Sequence, residues 1–408
     1  MSEPRGRRDA PHVLVLVPDL EIRTIKVCEV LDGLGARVTL ATERHRFDTW
    51  NSRLRALSGT RFEVVSHPRL PTQLAWNPVR AAALRRLAVP PVDLVYARDI
   101  FLGEVALGVA DALAARGGAR PPVVVDVADD YVSVLRETPS RLRRAYSRVF
   151  DPRRVEGRVL RGADRLWFVV PAAVPHYERR HGVSLDGRAS VVRNVPNGPL
   201  SAAPPPPPAG RAGEALYVGT IDRGIRDFEV VLAADAHLTR PVTMDCYVLS
   251  LNRNAYVREL AARAAGLRHL RLRFLDPVPT DRYAALLDGY RVGVIPHRRN
   301  DICDYTVPNK LYDYLDRGLT VLASDNPSNV SELEGEPGGF LYRGEDPRDF
   351  AAQLERALDH AASGASVPAP RGAGFYFPAA LRAALDGLAG VGGAGAAPAR
   401  RAAVPHTR

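Results

Sequence analysis

The chain has 408 residues, 56 Lys plus Arg against 46 Asp plus Glu, and a formal net charge of +10. That length exceeds what one compact core usually organises, so two domains are expected, and three scattered cysteines (Cys28, Cys246, Cys303) without CxxC spacing exclude a disulfide scaffold and a zinc module. Lysine occurs only at Lys26 and Lys310, leaving 56 − 2 = 54 arginines; with abundant Ala, Pro and Gly this reads as a coding bias, and no nucleic-acid partner is expected.

The N-terminal MSEPRGRRDAP is basic but is followed by only about six apolar residues, too few for a signal-peptide core or a membrane span. A soluble, cytoplasmic protein is expected. Short β-branched runs then alternate with amphipathic stretches, which predicts parallel sheets joined by crossover helices. In the first half the runs are 12–17, 37–41, 62–66, 93–97, 123–127 and 165–170, with helices at 22–35 and 101–116 among the connections. The stretch RLRRAYSRVFDPRRVEGRVLR (141–161) places basic side chains around most of a helix, a solvated face or a peripheral contact with the inner face of the cytoplasmic membrane. His176 and His181 lie five apart and diverge on a helix, so they form no metal pair.

Five consecutive prolines within residues 194–213 predict an extended spacer, and the strand pattern restarts at 214–219, 242–248, 270–274, 291–295 and 320–324. The expected organisation is an N-terminal domain over 12–196, a Pro-rich linker over 197–213 and a C-terminal domain over 214–373. A helix at 374–388, on which Leu381, Leu385 and Leu388 share a face, then crosses back to the first domain, and a disordered tail fills 389–408. Two doubly wound halves place ligands at the carboxyl ends of their strands, in the cleft between them.

Three stretches carry chemistry. In VPNKLYDYLDRG (307–318), Asn309 is the expected N-cap, Lys310 falls in the first turn and Gly318 stops the helix. A cation there opposes the helix dipole, and an anion relieves it. Asp313, one turn on, can accept hydrogen bonds from a ribose diol; the competing reading is a Lys310–Asp313 surface pair. In YVGTIDRGIRDF (217–228), a strand ends at Gly219 and turns into a helix beside Arg223 and Arg226, whose forked guanidiniums suit a diphosphate, although an ordinary strand-to-helix turn explains the pattern equally well. In VVVDVADDYV (123–132), Asp126, Asp129 and Asp130 crowd at a strand end. Such crowding raises at least one pKa and favours a general base, with Asp129 ranked first, Asp130 second and capping or structural roles as the alternative.

YTVPNKLYDYLDRGLTVLASD (305–325) resembles the P-x-K-L-x-E-Y-x-x-x-G-x-x-V segment of GT-B glycosyltransferases, above all those similar to family 4 and to bacterial polysaccharide glucuronosyltransferases. VVRNVPNGPL (191–200) is similar to their interdomain I-P-N-G element, YVGTIDRGIRD to their Gly-Arg loop, and 278–298 to the segment before the donor site. The resemblance covers roughly 12–360 and implies two Rossmann-like domains facing each other across a cleft, with a hexose moved from a nucleotide diphosphate sugar to a hydroxyl or amine of a small-molecule or glycan acceptor. It implies no cofactor and no metal, since cationic side chains and helix N-termini can hold the leaving diphosphate. Residue by residue, it assigns the donor ribose to Asp313 and the diphosphate to Lys310, Arg226 and Arg223, with Gly219, Thr220, Thr306 and Asn309 lining the pocket. Family 4 members carry Glu, seven residues, Glu; here Asp313 replaces the second acid and Tyr305 stands at the first. Asp304, Tyr305 and His297 are secondary candidates for touching the sugar. The glycine-rich loop after the first strand is replaced by VPDLEIRTIK, whose Glu21 and Lys26 are secondary candidates on the acceptor side. The alternatives are a nucleotide-sugar 2-epimerase of the same fold and an inactive nucleotide- or glycan-binding protein.

Overall fold

The β-branched runs form two all-parallel sheets whose central strands are buried on both faces, as parallel sheets require. The computed structural model describes residues 10–17, 22–41, 57, 62–65, 91–137, 145, 151–249, 255–364 and 371–389. The first sheet comprises β1 (His12–Leu16), β2 (Arg37–Ala41), β3 (Phe62–Val65), β4 (Leu94–Arg98), β5 (Val123–Val127), β6 (Arg165–Phe168) and β7 (Ala189–Val191), in the order β3-β2-β1-β4-β5-β6-β7. The second comprises β8 (Gly213–Gly219), β9 (Val242–Val248), β10 (Leu270–Leu275), β11 (Tyr290–Ile295), β12 (Thr320–Ser324) and β13 (Gly339–Tyr342), in the order β10-β9-β8-β11-β12-β13. The short strands β7 and β13 are the two that the hydrophobic runs did not mark; each closes a sheet edge.

The connecting helices described in the first half are α1 (Ile22–Gly33), α2 (Ile100–Ala115), α3 (Tyr131–Glu137), α4 (Pro152–Gly162) and α5 (Ala173–His181). In the second half they are α6 (Phe228–Ala233), α7 (Ala255–Ala264), α8 (Tyr283–Asp288), α9 (Asp301–Asp304), α10 (Asn309–Asp316), α11 (Pro327–Leu333) and α12 (Pro347–Ser363), and α13 (Phe377–Ala389) follows. Strand order reverses between β1 and β4 in one sheet and between β8 and β11 in the other, and ligands of doubly wound sheets sit at such switch points. One core cluster runs through the first domain and into the α10 side of the second sheet. Another fills the space under α6, α7 and α12.

Two local expectations change. Residues 197–213 are not a free spacer but are strapped to the second domain: Arg211 donates to the carbonyls of Pro206, Tyr290 and Arg317, Arg317 donates to that of Ala203, and the Leu200 N–H donates to Asp316. The prolines offer no N–H, but their carbonyls take guanidinium donors. Of the basic stretch 141–161, residues 141–144 and 146–150 lie outside the described residues, and helix α4 starts at Pro152, capped by Asp151. There Arg153, Arg154, Arg158 and Arg161 share the exposed side while Val155, Val159 and Leu160 are buried. The last helix, α13, lies against the first domain: the Phe377 N–H donates to the Pro196 carbonyl at 2.9 Å, and its buried ring lies beside Arg23 and Lys26. Except for Ala389, the expected tail 389–408 lies outside the described residues. The three cysteines are buried free thiols, and no helix among the described residues is long and apolar enough to cross a membrane.

Candidate functional site

At the second switch point, β8 ends at Gly219 and the chain leaves β11 through His297. Helix α10 is seated here because Gly293 in β11 leaves room for the Tyr314 ring, which a Cβ would meet at 2.3 Å, and the Tyr314 hydroxyl accepts from the Val218 N–H. The helix begins at Asn309 with Pro308 at the cap, one residue earlier than expected, and Gly318 at φ 61° follows its end. Instead of capping, the buried Asn309 Oδ1 has no hydrogen-bond partner. Lys310 thus keeps its first-turn position.

Its ammonium lies 3.8 Å from the centre of the Tyr217 ring, and a Cβ on Gly219 would approach it to 2.8 Å. Glycine is needed on two counts, since Gly219 also has φ 131°. Arg226 joins from the other side, its Nε donating to the Tyr217 hydroxyl, which itself donates to the Thr220 carbonyl. The Arg226 backbone pairs with that of His297 in an isolated antiparallel bridge, and the His297 side chain is 3% exposed with neither ring nitrogen hydrogen-bonded. Burial, then Arg226 and Lys310, push the His297 pKa well below the usual histidine range; burial and Arg226 likewise lower that of Lys310. Two cations and a buried imidazole therefore lie together beside a backbone turn, with no ion pair to an acid among the described residues, an arrangement that an anion with several oxygens satisfies.

Asp313 forms no ion pair with Lys310 among the described residues; its Oδ2 accepts from the Tyr283 phenol at 3.1 Å. Burial raises its pKa to about 6, with Lys26, the Tyr283 hydrogen bond and Lys310 opposing the rise. Other expected donor residues stand apart. Arg223 pairs with Glu259 at 2.6 Å and lies over the Tyr256 ring, directed away from Lys310. The Thr306 hydroxyl donates to the Ile302 carbonyl, and Asp304 is held by Arg299 and Asn326.

On the first sheet, the expectation that crowded carboxylates raise a pKa is reversed, because each buried acid has acquired an arginine. Asp126 accepts from Arg23 at 2.6 and 2.9 Å and from the Tyr96 phenol at 2.7 Å. Asp130 accepts from Arg180 at 2.6 and 3.0 Å and from the Ser133 N–H and hydroxyl. Burial alone would raise both pKa values, but these partners hold both below the usual carboxylate range. Asp129 alone presents its carboxylate to solvent, 45% exposed, with Arg98 at 3.4 Å. Lys26 does not line the acceptor side: its ammonium donates to the carbonyls of Asn194 and Val195, in the segment joining the domains. Glu21 lies outside the described residues.

Sequence reasoning missed the residues that carry one domain to the other. His176, set aside as half of a failed metal pair, stacks on Tyr305 at 3.5 Å between ring centres and approaches Asp130 to 3.8 Å, beyond hydrogen-bonding distance. Arg180 and Ser133 reach Asp301 at 3.8 and 3.4 Å, and Arg193 pairs with Glu332 at 2.8 Å. Nothing local in α5 marks His176 or Arg180 for these contacts. Among the described residues no group of three His, Cys, Asp or Glu is placed to hold a metal ion.

Residues 213–360 match the family model described as glycosyl transferases group 1. No curated protein matches the chain. Among solved structures it is similar to a UDP-forming α,α-trehalose-phosphate synthase from Burkholderia xenovorans, with 13% identity, TM-score 0.62, and 94% of this chain and 100% of that one covered. The Anabaena HepE protein in complex with UDP and glucose gives 15% identity, TM-score 0.62, and 94% and 99% coverage. Sucrose-phosphate synthase from Thermosynechococcus elongatus gives 17%, TM-score 0.61, and 94% and 97%. At such identities the likeness is one of fold, and that fold is the two-domain, Rossmann-like GT-B arrangement.

Proposed function

We propose, from the premise that residues 213–360 are a glycosyl transferases group 1 domain in a chain of GT-B fold, that this protein transfers a hexose from a nucleotide diphosphate sugar to an acceptor hydroxyl or amine. The observation that carries the proposal is the gathering of Lys310 and Arg226 around Tyr217 and the Gly219 turn, close enough to the buried His297 to depress its pKa, with no ion pair from either cation to an acid among the described residues. UDP is the first nucleotide to test, because it is the one in the Anabaena HepE structure.

In this reading the acceptor oxygen attacks the anomeric carbon as the bond to the β-phosphate oxygen breaks, and the departing diphosphate takes the electron pair. Lys310 and Arg226 neutralise the charge that develops on that oxygen, and cationic donors of this kind are effective because they are already in place. A phosphate in contact with Lys310 opposes the effects of burial and Arg226 on its pKa. Asp313 receives the ribose diol. Asp129 takes the acceptor proton, since its carboxylate reaches solvent whereas Asp126 and Asp130 are locked to Arg23 and Arg180. The acceptor, whether small molecule or glycan, is held by the first domain, and no metal takes part.

Calorimetric titration of UDP, GDP, dTDP and ADP into the wild type and Lys310→Met tests this. One diphosphate is expected to bind the wild type, and removing the ammonium to weaken it about a hundredfold, the equivalent of about 2.7 kcal/mol for a charge-assisted contact. If none of the four binds the wild type, the donor site is misplaced.

A further inference from the structure

We propose that Tyr283 is a positioning residue for the donor: its phenol fixes the Asp313 carboxylate through one oxygen and leaves the other free to take the ribose diol. The inference rests on the donor-site reading above. Tyr283 opens α8, where its half-buried ring packs on the core beside Leu286, with Leu287 fully buried below. Its hydroxyl reaches Oδ2 of Asp313 at 3.1 Å, and among the described residues Oδ1 has no hydrogen-bond partner.

Every other charged group facing Asp313 is engaged elsewhere. Lys310, on the same helix, lies over Tyr217; Asp316, also on that helix, accepts from the Leu200 N–H and the Tyr376 phenol; Lys26, from α1, holds the Asn194 and Val195 carbonyls. The neighbouring Tyr314 hydroxyl accepts from the Val218 N–H. Among the described residues a neutral phenol is therefore the one direct hydrogen-bonding constraint on the carboxylate. A cation in its place would consume the negative charge in a permanent pair, whereas a phenol orients the group and leaves its charge available. The same hydrogen bond favours the ionised form, against the burial that pushes the Asp313 pKa up to about 6.

The test is the UDP dissociation constant from pH 5.5 to 8.5 for the wild type, Tyr283→Phe, Asp313→Asn and the double variant. Loss of the phenol is expected to move the acid limb of binding to higher pH. A displacement of about one pH unit makes Tyr283→Phe about fivefold weaker at pH 6 and nearly equal to wild type at pH 8.5. In the Asp313→Asn background, Tyr283→Phe is expected to change nothing, which a merely structural tyrosine would not satisfy. An unmoved limb, or a loss that is equal at every pH and persists in that background, overturns the inference while leaving the donor site intact. Failure of the wild type to bind UDP or any other of the four diphosphates overturns the donor-site reading, and this inference with it.

Discussion

Gly219 shows how much a single residue settles here. Its φ of 131° is strained for any L side chain, and a Cβ would also push into the Lys310 ammonium at 2.8 Å. The ammonium can swing away, so the backbone term dominates stability. Gly219→Ala is expected to cost about 1–3 kcal/mol in folding, measured by thermal melting, and to weaken diphosphate binding as Lys310 leaves the Tyr217 ring. A variant that melts and binds like wild type would mean that neither the turn nor the cation's place depends on glycine. The same scale explains what could be read beforehand. Lys310 was legible because an ammonium in a lysine-poor chain stands at a helix start. The choice between Arg223 and Arg226 was not, since both occupy one loop and only the packing of α7 offers Glu259 and Tyr256 to the first of them.

At the scale of elements, α13 and α10 are joined through few contacts. The Phe377 ring is fully buried beside Arg23 and Lys26, the same two side chains that hold Asn194 and Val195. Its neighbour Tyr376 donates to Asp316, at the far end of the helix that carries Lys310 and Asp313. Phe377→Ala is expected to destabilise the protein by about 3–5 kcal/mol, as for other buried aromatics cut to alanine. A drop in melting temperature equivalent to less than about 1 kcal/mol would show that α13 is not held by this ring. The existence of α13 follows from the spacing of Leu381, Leu385 and Leu388, but its destination does not, because an apolar stripe names no partner.

For the whole molecule, buried acids of opposite behaviour set the response to pH. Asp126 and Asp130 have pKa values in the folded chain below those of the unfolded chain. The unfolded state binds more protons across that window, so the stability they supply is complete above about pH 4 and is lost as pH falls through the folded values. Asp313 is shifted the other way, to about 6. Between about pH 4 and 6 the folded state binds more protons, so ionising Asp313 lowers stability as pH rises through the window, and the penalty is full above it. At pH 8, Asp130→Asn is therefore expected to lower the melting temperature, by an amount equivalent to about 3 kcal/mol for a broken buried pair. Asp313→Asn is expected to raise it, by the equivalent of about 1–3 kcal/mol. The Asp313→Asn difference should shrink as the pH falls from about 6 to 4, and the Asp130→Asn difference only as it falls below about 4. Changes of the same sign in the two variants at pH 8 would contradict this assignment of charge.

What the sequence by itself determined was the periodic part: alternating strands and helices, two halves, the break between them, and a cation in the first turn of one helix. Those features are local, written in hydrophobic period, glycine placement and residue scarcity. Tertiary structure alone decided which of the three carboxylates reaches solvent, because Asp126 is buried against Arg23, 103 residues earlier in the chain, and Asp130 against Arg180, 50 residues later, while Asp129 is 45% exposed. It also decided that Lys26 braces the segment between the domains, and that His176 meets Tyr305. Each depends on which distant side chain arrives first at a shared lone pair or ring face, and nothing within a helix or strand encodes that.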